Sequence, residues 1–347
     1  MNEKIRFLFI STTTQLKNPI NDPSVRYRCY NLAEALQDKG HIVSVMPWLE
    51  SESALYNFDV YIFHRPNINQ IEFIRNLKKL RKIIIADYDD MIFGNDDHAA
   101  TAPLAINQPN KKNDVIKYFE KNSYVAEEFD LITCSTEPLV EHALKFSNSK
   151  AIQISNTIPS SVLNFTKKIE TNNKLFDFGY FAGTSSHQKD FETIKKPLTK
   201  FLFENPECKF LLIGDIKLDK RLALLPNIHR QALSSFLRLF DRISICRYSI
   251  SPLVDNMFNK CKSNIKLLES SLVGTQLIST KIPDMEKESN FNVYFAQNEE
   301  SWYELFYKIV KPNKNYNELS YINRRLTEEK FNSCLAAESL LSFIGSE

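Results

Sequence analysis

The sequence predicts an α/β protein made of two doubly wound, Rossmann-like units, and three observations carry that prediction. Short apolar runs alternate with amphipathic stretches along the chain, the pattern of parallel strands covered by helices on both faces. The alternation breaks once, at the polar stretch NTIPSSVLNFTKKIETNNK (156–174), and then restarts. The 347 residues, 43% of them hydrophobic, supply enough apolar material for about two cores.

In chain order, IRFLFI (5–10) is the first strand. Residues 25–40 place Val25, Cys29, Leu32, Ala33 and Leu36 at helical spacing, with Gly40 as the stop. IVSVM (42–46) and VYIF (60–63) are strands, and 71–82 is a helix with Phe73, Ile74, Leu77 and Leu80 on one face. KIIIA (82–86), LITC (131–134) and AIQI (151–154) continue the strand series, with helices near 112–127 and 137–146. After the break come strand 176–183, a helix to about 204, strand 209–214, a helix near 233–240 and strand 243–251. A helix near 262–273, beginning near Cys261, then strand 275–280 and a helix near 298–310 follow. The last stretch carries Leu319, Ile322, Leu326, Phe331, Leu335 and Leu340 and reads as one long or broken helix. The expected boundaries are a first domain over 1–160, a linker over 161–174, a second domain over 175–312 and a terminal helical segment over 313–347.

Composition narrows the function. With 44 basic and 42 acidic residues, the chain has no global attraction for nucleic acid. Only 7 residues are glycine, and neither G-x-G-x-x-G nor G-x-x-x-x-G-K-[ST] occurs, so the standard dinucleotide and P-loop cradles are absent. The six cysteines form no C-x-x-C pair, which leaves a zinc site unsupported and reads as reduced thiols in a cytosol. The opening apolar run is too short for a signal core or a membrane span. A cytoplasmic protein is expected, at most peripheral on the inner face of the membrane.

The most informative stretch is SPLVDNMFNKCKSNIKLLESSLVGTQLIST (251–280). On a helix starting near Cys261, Lys262, Lys266 and Glu269 share one face. A helix start with a lysine favours diphosphate, and a carboxylate two turns on suits a ribose diol. A surface helix with a Lys266–Glu269 pair is the plainer alternative. The loop Gly183-Thr184-Ser185 ends a strand and leads towards His187, and its small residues let backbone N–H groups approach an anion; an ordinary capped turn is the alternative. In the first half, Arg26 and Arg28 suit an anionic acceptor or the donor diphosphate, with solvated or salt-bridged arginines as an equal alternative. Arg65 follows one strand and Asp87, Asp89 and Asp90 end another. Those acids could bind Mg²⁺, supply a base, hold an acceptor hydroxyl, or cap a helix through Asp89 or Asp90. The basic run Arg75, Lys78, Lys79, Arg81, Lys82 reads as a solvated helix face, with anionic lipid as the alternative.

The 251–280 stretch resembles the donor-binding region of GT-B glycosyltransferases of the family 4 type, closest to bacterial envelope-polysaccharide members. The match runs through Pro252, Leu253, Asp255, Asn256, Phe258, Asn259, Lys262, Ser263, Lys266, Leu268, Glu269 and Gly274. Residues 179–191 and 22–36 resemble the loops that open the second and first domains of such enzymes. The resemblance implies two domains facing a central cleft, with a terminal helix crossing back to the first. It implies retaining, metal-independent transfer of a sugar from a nucleotide-sugar, a substrate rather than a cofactor, to a glycan or lipid-linked glycan such as O-antigen or capsule. Gly183, Thr184, Ser185, Asp255, Asn256, Lys262, Ser263, Lys266 and Glu269 are the expected donor contacts, and Arg26, Arg28, Arg65 and Asp87 the acceptor contacts. Asp90, Asp89 and His187 are the expected catalytic groups. The family's Glu-x₇-Glu signature is incomplete, because its first position is Cys261; the ribose contact carries over to Glu269, and no sugar contact carries over to residue 261. A non-hydrolysing nucleotide-sugar epimerase and a degenerate GT-B scaffold or glycan-binding subunit are the competing expectations.

Overall fold

The computed structural model describes residues 4–48, 56–183, 185–233, 235–311 and 314–345. The chain forms two compact units. The first comprises Met1–Ser161, Lys260–Ser263 and Phe331–Glu347, and the second Val162–Asn259 and Asn264–Lys330.

The first unit is built on six parallel strands, β1 (Arg6–Ser11), β2 (Ile42–Pro47), β3 (Val60–His64), β4 (Ile83–Tyr88), β5 (Leu131–Cys134) and β6 (Lys150–Gln153), in the order β2-β1-β3-β4-β5-β6. β3 is buried along its length, as expected of a strand covered on both faces. Helices α1 (Asn31–Asp38), α2 (Ile71–Lys79), α3 (Lys112–Ala126) and α4 (Glu137–Phe146) connect the strands. A π turn over Arg26–Tyr30 precedes α1. Phe7, Phe9, Ile62 and Ile85 of the sheet pack with Leu32 and Leu36 of α1 and with Ala337 and Leu340 of the terminal helix.

The second unit repeats the plan. β7 (Phe176–Phe181), β8 (Phe210–Ile213), β9 (Ile228–Gln231), β10 (Cys246–Ser251), β11 (Gln276–Ser279) and β12 (Val293–Phe295) lie in the order β12-β11-β10-β7-β8-β9, all parallel. The helices are α5 (Gln188–Glu204), α6 (Phe236–Ser244), α7 (Ile265–Ser271), α8 (Glu299–Val310) and α9 (Tyr316–Lys330), and α10 (Ser333–Gly345) belongs to the first unit. Phe178 at the centre of the core meets Phe201 of α5, Phe306 of α8 and Tyr248 of β10. Burial of each such ring is worth about 1.5–3 kcal/mol.

Several expected elements differ. β9 and β12 do not appear in the sequence reading, because IHRQ and VYF carry too few apolar residues at sheet edges to show a period. The stretch expected as a linker contains a helix, Ser160–Thr166. The terminal segment does not pack on the first unit as a whole: α9 belongs to the second unit and α10 to the first. The break falls where Ile158 N donates to Phe331 O and Ser333 N donates to Ile158 O. Finally, α7 begins at Ile265, with Asn264 at its N-cap, and not near Cys261.

Candidate functional site

In a doubly wound sheet, ligands bind beyond the carboxyl ends of the strands where the strand order reverses. In the first unit that point lies between β1 and β3, and in the second between β7 and β10. The predicted residues concentrate at these two edges.

In the first unit, β3 ends in His64 and is followed by Arg65, and β4 leads into Asp89 and Asp90. Arg65 sits in the left-handed region at φ 51, a conformation costly for a side chain with a Cβ and one that concentrates at functional sites. Its guanidinium spans both acids, Nε donating to Asp89 Oδ1 at 2.6 Å and Nη2 to Asp90 Oδ2 at 2.6 Å, with a further bond to Ser24 Oγ at 2.8 Å. His64 Nε2 lies 3.2 Å from the same Asp89 oxygen. Burial opposes ionisation of Asp89, but Arg65 and His64 outweigh it and hold the carboxyl well below the usual range. Asp90 is half-buried, and its second oxygen lies 3.3 Å from Lys262 Nζ.

Arg28 and Asp87 do not line this edge. Both are buried, and Arg28 grips Asp87 in a bidentate pair, Nη2–Oδ1 at 2.6 Å and Nε–Oδ2 at 3.0 Å. Thr133 Oγ1 also donates to Asp87. Burial disfavours the Arg28 cation, yet Asp87 more than compensates and raises its pKa. Arg26 is buried as well and donates to the carbonyls of Ile20 and Asn21. The expected acceptor roles of Arg26, Arg28 and Asp87 are therefore replaced by structural ones, since their polar atoms are used inside the fold. The helix-capping alternative for Asp89 and Asp90 also falls: the next helix is Asp96–Ala100, capped by Asn95.

Residues 260–263 are tied to this unit by three bonds. Thr136 Oγ1 donates to Cys261 O at 2.9 Å, Asn156 Nδ2 donates to Ser263 Oγ at 2.9 Å, and Lys262 pairs with Asp90. Lys262 thus precedes α7, outside any helix, and does not share a helix face with Lys266 and Glu269. Asn156 also accepts from Arg28 Nη1 at 3.1 Å, so a buried chain runs Asp87, Arg28, Asn156, Ser263. Burial, reinforced by Asp90, pushes the Cys261 thiol up to about 12. At the place where the family signature has a glutamate, this chain holds a buried neutral thiol.

In the second unit, the loop after β7 and the loop after β10 meet on one residue that the sequence reading passed over, Asp190. It is buried, and its Oδ1 accepts from Val254 N at 2.9 Å and Asn259 Nδ2 at 3.1 Å while Oδ2 lies 3.0 Å from His187 Nδ1. Asn259 N in turn donates to Asn256 Oδ1 at 2.8 Å. The H-x-x-D spacing on the first turn of α5 was the only local signal for it. Gly183 and Ser185 are exposed at the start of this loop, Asp255 is exposed on the facing one, and Thr184 lies outside the described residues. Gly214, at φ +118 after β8, is packed so closely on this edge that a Cβ would fall 1.8 Å from Ala182 O, which only glycine permits. On α7, Lys266 Nζ lies 3.0 Å from the buried Glu269 Oε2. Asn264 is buried with both side-chain polar atoms lacking a hydrogen-bond partner among the described residues, a cost of about 1–3 kcal/mol.

Asp190→Asn keeps the shape but can no longer accept from all three donors. We expect it to destabilise the second unit by about 1–3 kcal/mol in urea unfolding, because both loops lose an anchor.

Among the described residues no cluster of three or more His, Cys, Asp or Glu side chains is arranged to hold a metal ion, and no helix is long and apolar enough to cross a membrane. Asp87 turns to Arg28 while Asp89 and Asp90 turn to Arg65, so the three acids do not converge.

No family model and no curated protein sequence matches the chain. Solved structures match it over nearly its whole length. Anabaena HepE, solved with UDP-glucose, aligns at a TM-score of 0.66 and 10% identity over 99% of this chain and 100% of its own. Sucrose-phosphate synthase from Thermosynechococcus elongatus aligns at 0.66 and 10% over 99% of both chains. A UDP-N-acetylglucosamine 2-epimerase candidate from Listeria monocytogenes aligns at 0.57 and 9% over 99% of this chain and 96% of its own. The fold is GT-B, two Rossmann-like domains in one chain.

Proposed function

We propose that this protein is a glycosyltransferase that moves a sugar from a nucleotide-sugar to a glycan or lipid-linked glycan in cell-surface polysaccharide synthesis, retaining and metal-independent, at the cytoplasmic face of the membrane. The observation that carries the reading is the convergence of the 179–191 and 251–259 stretches on Asp190 at the strand-order reversal of the second sheet. Those are the stretches whose residues resemble donor-binding loops, and HepE, of the same fold, is solved with UDP-glucose.

In this reading the diphosphate is held by Lys262, Ser263 and the backbone of the loop at 183–185, and Glu269 accepts from the ribose. Catalysis rests on stabilising the leaving diphosphate and on positioning the acceptor hydroxyl at Asp90. Arg65 holds Asp90 and Asp89 in place, and Asp190 fixes the ring of His187 through Nδ1, leaving Nε2 for substrate.

Calorimetric titration with UDP tests the donor half. Glu269→Ala is expected to cost about 1.5–3 kcal/mol of binding, the value of a charge-assisted hydrogen bond; wild-type affinity in the folded variant removes Glu269 from the site. Transfer is expected to persist in excess EDTA. Loss of activity there, restored by Mg²⁺ or Mn²⁺, assigns a metal to Asp89 and Asp90. The Listeria match keeps an epimerase as the second reading, and that enzyme would convert the donor with no acceptor present.

A further inference from the structure

Residues 260–263 belong to the first unit, although the chain on either side of them belongs to the second. One side chain of the first unit that has no part in the proposed chemistry, Asn156, reaches this segment. It is buried, and both ends of its amide are bonded, Oδ1 to Arg28 Nη1 at 3.1 Å and Nδ2 to Ser263 Oγ at 2.9 Å.

Chemistry fixes which end of the amide is which. A guanidinium carries donors and no acceptor, so Asn156 must turn its oxygen to Arg28. Arg28 cannot give way, because Nε and Nη2 are committed to Asp87 and Nη1 also donates to Ile154 O. The backbone around Asn156 is pinned as well. Ile154 N donates to Cys134 O at 2.8 Å, Asn31 Nδ2 to Thr157 O at 2.7 Å and Ile158 N to Phe331 O at 2.7 Å. The NH₂ end is therefore the one that meets Ser263, and the serine oxygen accepts. A hydroxyl has a single proton, which must then be directed to some other group. Ser263 is partly exposed, and its hydroxyl donates no hydrogen bond among the described residues.

We propose that Asn156 is a positioning residue that sets the polarity of Ser263, so that the hydroxyl is presented as a donor to a phosphate oxygen of the ligand. Lys262 beside it, whose ammonium also reaches Asp90 at 3.3 Å, is a donor without a lone pair. Two consecutive donor groups suit the oxygens of a diphosphate, which only accept. The chain Asp87, Arg28, Asn156, Ser263 thus runs from a buried carboxylate to a presented proton, and the charge at its buried end sets the direction of every bond along it. For its ligand the inference rests on the proposed place of the diphosphate at Lys262 and Ser263. For the polarity it rests on the bonds of Arg28 and Asn156 alone.

Calorimetric titration of the full chain with inorganic pyrophosphate tests it. Wild-type protein is expected to bind, and Ser263→Ala to bind about 10-fold more weakly, since a hydrogen bond to a charged group is lost. Asn156→Asp keeps the size and the bond to Arg28 but offers Ser263 only an acceptor. The serine proton then turns inwards, a lone pair faces the phosphate, and a loss of about 10-fold or more is expected. Asn156→Ala adds no charge and leaves the hydroxyl free to rotate, so its loss should be smaller, about 3- to 10-fold. In a Ser263→Ala protein the Asn156→Ala change should cost no more than about twofold. A residue that merely held the segment in place would lower affinity equally in both backgrounds. The Asn156→Ala cycle decides the matter even where Asn156→Asp does not fold. The proposal is overturned if wild type does not bind pyrophosphate, if Ser263→Ala or the Asn156 variants bind as wild type, or if the losses add. UDP titrated into the wild type separates the two readings: pyrophosphate binding without UDP binding counts against UDP as the donor nucleotide, while the Asn156 cycle is decided with pyrophosphate alone.

Discussion

Arg28→Met is expected to destabilise the first unit by about 3–5 kcal/mol, the largest stability effect of any single change discussed for this protein. The guanidinium is buried and contacts the buried Asp87 through both carboxylate oxygens, with Ile154 O and Asn156 Oδ1 taking its remaining contacts. Removing the cation leaves a desolvated carboxylate whose remaining side-chain donor among the described residues is the Thr133 hydroxyl. The loss measures that stranded charge more than the worth of the pair. Arg28→Met combined with Asp87→Leu therefore recovers much of the stability, because no buried charge remains. Urea unfolding of the two variants, followed by a probe in the first unit, checks this. A cost near 1 kcal/mol for Arg28→Met alone would mean that water reaches Asp87. The buried chain from Asp87 through Asn156 to Ser263 also predicts that the single variant loosens residues 260–263, and with them the anchor of Lys262.

This pair illustrates what the sequence shows and what it hides. The strands were legible because a strand buried on both faces must be apolar throughout, as FLFI in β1 and IIIA in β4 are. The edge strands β9 and β12 carry no such obligation and left no trace. The start of α7 was misplaced because Lys262, Lys266 and Glu269 fit a helical spacing by chance, while the actual limit is set by bonds from Thr136, Asn156 and Asp90 to residues 261–263. Partners more than a hundred positions away leave no periodic signal. For the same reason the sequence leaves Arg28 open between a ligand contact and a salt bridge and does not name Asp87, 59 residues away, as its buried partner. Asp190 escaped notice because its importance lies in accepting from Val254 and Asn259, far along the chain. What did survive the passage from sequence to structure is the placement of Asp89, Asp90 and Arg65 together at one strand edge.

Asp90→Asn is expected to lower the transfer rate by about 10²-fold or more, the scale on which loss of a positioned acid–base group is felt, with donor affinity nearly unchanged. Asp90 is half-buried at the carboxyl edge of the first sheet, where Arg65 fixes one oxygen and Lys262 approaches the other. That arrangement fixes the carboxylate in one orientation and keeps an acceptor oxygen at the edge where a hydroxyl must be held. An amide in its place retains the volume and one acceptor, but it presents N–H to one of the two cations and cannot take a proton. The stability cost stays small, under about 1 kcal/mol, because both ion pairs are partly exposed and such pairs are worth little. No helix is capped at this position, so a stability loss cannot masquerade as a catalytic one. Three measurements on the one variant decide the point: melting temperature, UDP affinity by calorimetry, and transfer rate. A normal rate removes Asp90 from catalysis. A lowered rate with an equal fall in UDP affinity shows instead that Asp90 serves the donor by orienting Lys262, and Lys262→Ala should then reproduce both losses.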